Sequence, residues 1–213
     1  FTSLQSSGNN IDCTVGGNHQ IARTSYSIIG VNDENGNKAK ITNGNVQAYV
    51  AGGYDSGSMF TYEGTLAIEN IEFSSTTSTT VGASAMNATA NSTKEVFGAS
   101  MVIKNCVFRG RLYVYDNFDN AGKMTYEISN CTFDGSNYSG DSNAYAIFAQ
   151  CRGGNELYIQ NNNISGYARG INIDNPNINV KISENTISVT DTGRSCVQLS
   201  SLTTAEVYNN DLE

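Results

Sequence analysis

The chain has 213 residues, with 12 basic against 20 acidic side chains and a formal net charge of -8. Nucleic acid is excluded as an expected partner, because binding the phosphate backbone needs clustered lysine and arginine. No apolar run approaches the roughly 20 residues that span a bilayer, so no membrane span is expected. The 28 asparagines and 21 glycines, against seven leucines, favour turns and strands over packed helices.

The first part of the chain matches no later part of the sequence. Residues 1–25 are therefore predicted to be an N-terminal cap or an irregular first turn that protects an open sheet edge. Residues 26–213 are predicted to form one continuous domain. Its start, YSIIG at 26–30 and KAKIT at 38–42, is interpreted as a less regular first coil.

From residue 66 onward, one short motif recurs and ends each time in Phe, Ile or Leu. Its copies are LAIENIEF (66–73), MVIKNCVF (101–108), YEISNCTF (126–133), LYIQNNNI (157–164), VKISENTI (180–187) and EVYNNDL (206–212). Apolar and polar residues alternate before the corner, which is the period of a half-buried strand. A constant motif at variable spacing predicts constant corners and variable loops.

A further strand follows the motif where the loop allows it. These strands are RLYVYD (111–116), AYAIFAQ (144–150), GINID (170–174) and CVQLS (196–200). Three short strands per coil, each stacked on its equivalent in the next coil, predict an all-β solenoid with about six or seven coils and three parallel sheets. The threonine-rich tract 74–80 has no equivalent in the other coils and is interpreted as a flexible loop.

The position after the turn residue carries a small set of side chains. It reads Ile71, Cys106, Cys131, Asn162, Asn185 and Asn210. Side chains at equivalent positions of parallel coils lie about 4.8 Å apart, so the asparagines are predicted to hydrogen-bond as a ladder. Cys106 and Cys131 are predicted to be buried, adjacent and reduced, with an inter-coil disulfide or a reactive role as the alternatives.

The corners of the form I-x-N-N-x-I and the strand GINID resemble the pectin-lyase-like superfamily, and in particular its bacterial surface proteins. The resemblance covers residues 26–212. It implies a right-handed parallel β-helix that is secreted or held at the cell surface and that meets a polysaccharide or cell-surface glycan. The fold alone does not choose an activity, because it hosts enzymes, adhesins and binding proteins.

The catalytic motifs of the family's enzymes are absent from this sequence. Polygalacturonase-like members use an Asn-Thr-Asp strand, an Asp-Asp pair and a Gly-His-Gly turn, and epimerase-like members use Asp-Pro-His. Pectate-lyase-like members need clustered acidic residues for calcium together with a basic residue as the base. We therefore predict no catalytic residue and a non-catalytic binding or adhesive module. The alternatives are a divergent polysaccharide lyase or glycoside hydrolase, and a structural spacer or ice-surface binder.

A binding surface is predicted on the strands that follow the corners. Alternation places Leu112 and Val114 inside the coil and their neighbours outside, and it buries Ile171 and Ile173 in the same way. The residues expected to face a glycan are Arg111, Tyr113, Tyr115, Arg152, Asn172, Asp174 and Gln198. Tyrosine rings beside amides and carboxylates suit sugar recognition, although strand propensity alone also places tyrosine on a sheet.

No cofactor is predicted. Asp116 and Asp119, with two neighbouring asparagines, offer oxygen ligands for calcium, but their spacing matches no known calcium loop, and a solvated loop is preferred. The expected partner is a polysaccharide or surface glycan, and a monomer is expected.

Overall fold

A computed structural model gives the structure of the chain. It describes residues 3–5, 11–12, 26–42, 46–52, 64–74, 78–85, 99–116, 125–138, 141–150, 156–174, 178–202 and 204–213.

The strands fall into three sheets, here called A, B and C, in which every pairing is parallel. Sheet A is built from β1 (Ser3–Gln5), β4 (Ala39–Thr42), β7 (Ile71–Phe73), β10 (Val107–Phe108), β13 (Thr132–Asp134), β16 (Asn163–Tyr167), β19 (Thr186–Val189) and β22 (Asp211–Leu212). Sheet B is built from β2 (Ile11–Asp12), β5 (Val46–Gly52), β8 (Ser78–Ala85), β11 (Arg111–Asp116), β14 (Tyr145–Gln150), β17 (Arg169–Asp174) and β20 (Val197–Ser200). Sheet C is built from β3 (Tyr26–Ile29), β6 (Gly64–Glu69), β9 (Ala99–Lys104), β12 (Thr125–Ser129), β15 (Glu156–Gln160), β18 (Asn179–Ser183) and β21 (Thr204–Tyr208).

The chain visits sheets C, A and B in turn, so that each circuit is one coil of a right-handed parallel β-helix. The described strands make six complete coils, from β3–β4–β5 to β18–β19–β20, with strands of a partial coil at each end. The only helical segment among the described residues is a single 3-10 turn, Ser136–Tyr138. The predicted architecture of six or seven coils, three parallel sheets and almost no helix is confirmed. No helix in the described parts of the chain is long and apolar enough to cross a membrane.

The described residues of the segment 1–25 are two short strands. Strand β1 pairs with β4, and β2 pairs with β5, so both extend the sheets of the solenoid. The remainder of the predicted cap lies outside the described residues.

The threonine-rich tract corrects one expectation. Strand β8 begins at Ser78 and lies between β5 and β11, so the loop interpretation is wrong for 78–80. Its neighbours β5 and β11 in sheet B supply the pairing. Residues 75–77 lie outside the described residues.

The corner between sheets C and A depends on one residue with left-handed backbone geometry. Asn70, Asn105, Asn130, Asn161, Glu184 and Asn209 all have φ between 54° and 59°. Asparagine tolerates this region better than other L-residues, which explains why five of these six corners carry it. The backbone N–H of the corner residue donates to a carbonyl of the following coil, as from Asn130 to Gln160 at 3.2 Å.

The predicted asparagine ladder is present at the next position. Asn162 and Asn185 are buried, and each donates from Nδ2 to the carbonyl oxygen of an isoleucine in the preceding coil, at 2.9 Å. Each also accepts a backbone N–H of the preceding coil at Oδ1, at 2.9 Å. Asn210 continues the same pattern with Asn185. The ladder therefore satisfies backbone groups that the corner removes from the sheets.

The two cysteines of the ladder position reproduce its donor half. Both thiols are buried and free of disulfides. Cys131 Sγ donates to the carbonyl oxygens of Ser129 at 3.3 Å and Ile103 at 3.7 Å, the carbonyls equivalent to those used by Asn185. A hydrogen bond with Cys106 and burial raise the pKa of the Cys131 thiol, so it stays protonated. The prediction of buried and adjacent thiols is confirmed, and neither thiol forms a disulfide.

The interior is a set of stacked columns of like residues. Phe73, Phe108 and Phe133 form a continuous stack with ring centroids 4.8 and 4.9 Å apart and planes within 9° of parallel. The column continues through Ile164 and Ile187, which are buried, to Leu212, which is 48% exposed in the last coil. Each coil therefore buries its apolar side chains against its neighbours.

The ladder generates a stability prediction. Replacing Asn185 with Ala removes the partners of the Asn162 backbone N–H and of the Ile159 carbonyl, both buried. We expect a loss of about 3 kcal/mol in the free energy of unfolding, because a buried group left without a partner costs about 1–3 kcal/mol. The control is Asn163→Ala at an exposed strand position, where little change is expected. Equal losses from both variants in urea unfolding would contradict the role given to the ladder.

The corner generates a prediction of opposite sign. Glu184 is the one glutamate at a position where the equivalent residues are asparagine, with φ of 59°. Glu184→Asn should raise the free energy of unfolding by about 0.5–1 kcal/mol, because it relieves backbone strain at an exposed site. The reciprocal change Asn161→Glu should lower it by a similar amount. Thermal melting of both variants checks the pair, and a fall in the melting temperature for Glu184→Asn would contradict it.

Candidate functional site on the outer face of sheet B

Strand β11 places its side chains as the alternation predicts. Leu112 and Val114 are fully buried in the core, whereas Arg111 and Tyr113 lie on the outer face and are half-buried. Tyr115 belongs to the same strand, but its side chain lies outside the described residues. Two of the predicted binding residues therefore reach the outer surface of sheet B.

Three aromatic rings form a platform on this face. Tyr113 is in register with Phe148 of β14, and their ring centroids are 5.2 Å apart with planes 11° from parallel. Tyr145 belongs to the same strand as Phe148, and their ring centroids are 6.0 Å apart with planes 26° from parallel. Parallel, in-register strands stack same-face side chains as they do in the pair Tyr113 and Phe148. The Tyr113 hydroxyl donates to Gln150 Oε1 at 2.6 Å, which fixes one end of the platform.

The platform forms part of an open depression of about 330 Å³. Its lining residues are Arg111, Leu112, Tyr113, Asn143, Tyr145 and Phe148. Aromatic side chains contribute three of the six, and Asn143 and Arg111 supply the polar groups. The volume lies at the lower end of the range for small-molecule sites, about 300–1,000 Å³, and the composition is the usual one of apolar walls with few polar groups.

Residues 135–138 and 141–144, here called the wall, precede the strand that carries Tyr145 and Phe148. The wall approaches the core closely at Gly135, where an added Cβ would lie 2.6 Å from the backbone of Gly166 and from the ring of Tyr167. Gly166 itself has φ of +81°, which favours glycine. Tyr167 is buried and donates its hydroxyl to the carbonyl oxygen of Gly110 at 2.7 Å. Burial raises the pKa of the Tyr167 phenol, so it remains a donor.

Arg169, on β17, supports Tyr145 from the neighbouring coil. Its guanidinium carbon lies 4.8 Å from the centroid of the Tyr145 ring, and Nη1 donates to the Tyr145 hydroxyl. Nη2 reaches Asn143 Oδ1 at the long distance of 3.5 Å. The Nε of Arg169 is buried without a hydrogen-bond partner among the described residues. Arg169 thus orders two of the residues that line the depression.

The prediction that Asn172 is exposed is wrong. Asn172 retains only 6% of its accessible surface, although it is in register with Phe148 on one side and Gln198 on the other. Its short carboxamide lies between larger side chains, and Oδ1 has no partner within the described part of the chain. Asp174 and Gln198 are exposed, as expected. Arg152 lies outside the described residues.

Sequence reasoning missed Asn143, Tyr145, Phe148 and Arg169. The sequence predicts a strand over 144–150, but Ala146 and Ile147 are consecutive buried residues that interrupt the alternation, so alternation does not assign the outer face of this strand. The register between β11 and β14 identifies Phe148 as an outward-facing residue, because that register pairs it with Tyr113.

The expectation that the chain has no metal site can be tested only for the described part of the chain. Among the residues that the structure describes, no three His, Cys, Asp or Glu side chains cluster as a metal site. Asp119 and the side chain of Asp116 lie outside that part of the chain.

No protein-family model, curated protein or solved structure matches this chain.

Proposed function

We propose that this chain is a non-catalytic β-helix module that binds a polysaccharide or cell-surface glycan through the aromatic depression on sheet B. The observation that carries the proposal is the platform of Tyr113, Phe148 and Tyr145, three neighbouring rings with small interplanar angles. Flat aromatic faces pack against the C–H faces of sugar rings, while polar groups at the edge bind the hydroxyls. Asn143 lies at that edge, and Asp174 and Gln198 are exposed on the adjoining strands.

Membership of the pectin-lyase-like superfamily and an extracellular or cell-surface location belong to the same proposal. They are supported by the corner motif and by a fold that such proteins share, with a monomer as the expected state. A binding or adhesive role makes use of the long, regular outer surface of the solenoid, which presents equivalent positions at the strand spacing of about 4.8 Å.

The alternative of a divergent polysaccharide lyase or glycoside hydrolase requires titratable groups that converge on a substrate. The carboxylate of Asp141, in the wall, accepts from Arg111 at 2.8 Å and from the Asn143 backbone N–H at 3.0 Å. These contacts suit a structural carboxylate better than an acid or base. Binding without catalysis is therefore the preferred function.

The platform generates a binding prediction. Tyr113→Ala combined with Phe148→Ala should weaken glycan binding by between about fivefold and 150-fold, since two stacking contacts worth about 0.5–1.5 kcal/mol each are lost. The melting temperature should fall only slightly, because both side chains lie on the outer face. A glycan array identifies the bound sugar, and calorimetry measures its affinity.

Tyr158→Ala is the matched control, because Tyr158 is a half-buried tyrosine on the outer face of sheet C. It should leave binding unchanged. Full binding by the double variant would show that the face is misassigned. Release of new reducing ends or unsaturated products from a bound polysaccharide would support the enzymatic alternative instead.

A further inference from the structure

Asp141 organises the end of the wall with both of its carboxylate oxygens. Oδ1 accepts the Asn143 backbone N–H at 3.0 Å, which forms the turn directly before Tyr145. Its backbone also takes part, because the Asp141 N–H donates to Tyr138 and its carbonyl accepts from Ala144 at 3.1 Å. Oδ2 accepts from Arg111 Nη2 at 2.8 Å. The orientation of this one carboxylate therefore affects where Asn143 and Tyr145 lie.

Arg111 connects the wall to the sheet. Besides its ion pair with Asp141, its guanidinium carbon lies 5.1 Å from the centroid of the Tyr138 ring. Tyr138 in turn stacks on the buried ring of Tyr167, with centroids 5.6 Å apart and planes 27° from parallel. Arg111 thus contacts the wall at two points, one charged and one aromatic, while its own backbone is fixed in β11.

We propose that Arg111 is a positioning residue. Its guanidinium holds Asp141 and Tyr138, and through them it places Asn143 and Tyr145 against the aromatic platform, without itself contacting the glycan. This inference rests on the proposed function and refines it. It reassigns Arg111 from the predicted ligand contacts, because the charge that a ligand would meet is already matched by Asp141.

The experiment is a double-mutant cycle with Arg111→Gln and Asp141→Asn. Asp141→Asn keeps an oxygen that can accept the Asn143 N–H and removes the charge, so it isolates the ion pair. Two readouts are taken: affinity for the array oligosaccharide that gives the strongest signal with the unaltered chain, and hydrogen exchange of the Asn143 and Ala144 amides without any sugar.

Each single variant should speed the exchange of these amides about threefold to fivefold, because a half-exposed ion pair contributes up to about 1 kcal/mol. Affinity should fall by a similar factor. The double variant should be no worse than Arg111→Gln alone, since that change already removes the ion pair with Asp141 together with the contact to Tyr138. Additive losses of affinity would show that Arg111 contacts the sugar directly and would overturn the proposal.

The control is Lys104→Gln, which breaks an ion pair of similar exposure on sheet C, with Glu127 at 3.1 Å. It should change neither readout. If no oligosaccharide binds, the proposed function fails, yet the exchange measurement still tests the contact between Arg111 and the wall. Unchanged exchange in Arg111→Gln would overturn the positioning role independently of any ligand.

Discussion

The hydrogen bonds at the corner between sheets C and A are the constraint on which the rest of this solenoid depends. A chain that turns sharply at every coil removes backbone groups from the sheets and carries them into the interior, where an unsatisfied group is costly. The left-handed corner residue allows the chain to turn, and the ladder residue after it supplies hydrogen-bond partners for the backbone groups in the interior. Asn162 and Asn185 connect each coil to the coils before and after it, so stacking and turning are satisfied by the same side chains.

The ladder position changes from cysteine to asparagine along the chain, and the hydrogen bonds made there change with it. In the coils of Cys106 and Cys131, the thiol donates to carbonyls equivalent to those that the amides reach. A thiol is a weaker donor and acceptor than an amide, and these coils also contain the stacked phenylalanines. At Ile164 and Ile187 the stacked column consists of isoleucine instead of phenylalanine. In the same coils the ladder residues are asparagines, whose amides make stronger hydrogen bonds than a thiol. Packing and hydrogen bonding thus vary together along the axis.

The fold could be predicted from the sequence because the repeated corner leaves a local signature. The residues of the motif that ends in Phe133 or Ile187 are enough to predict a strand, a turn and an inward-facing apolar residue, without information from the rest of the chain. Strand β8 leaves no such signature, since its pairing partners in sheet B decide its structure. Less of the candidate site than of the fold could be predicted from the sequence. The outward positions of Arg111 and Tyr113 can be predicted from the alternation in their strand. Phe148 and Tyr145 can be added only when the pairing of β14 with its neighbouring strands is known. The burial of Asn172 depends on side chains of neighbouring strands, which the sequence of its own strand does not show.

The wall joins the solenoid between two strands that keep the standard register of their sheets, β13 and β14. It meets the coil through the backbone of Gly135 and the ring of Tyr138, while Phe133 before it and Ile147 after it remain fully buried in the core. The wall is therefore separable from the buried interior of its coil. Under the proposed function, a segment of different length or composition grafted between these two strands would change the edge of the binding site while the aromatic platform and the interior stay unchanged.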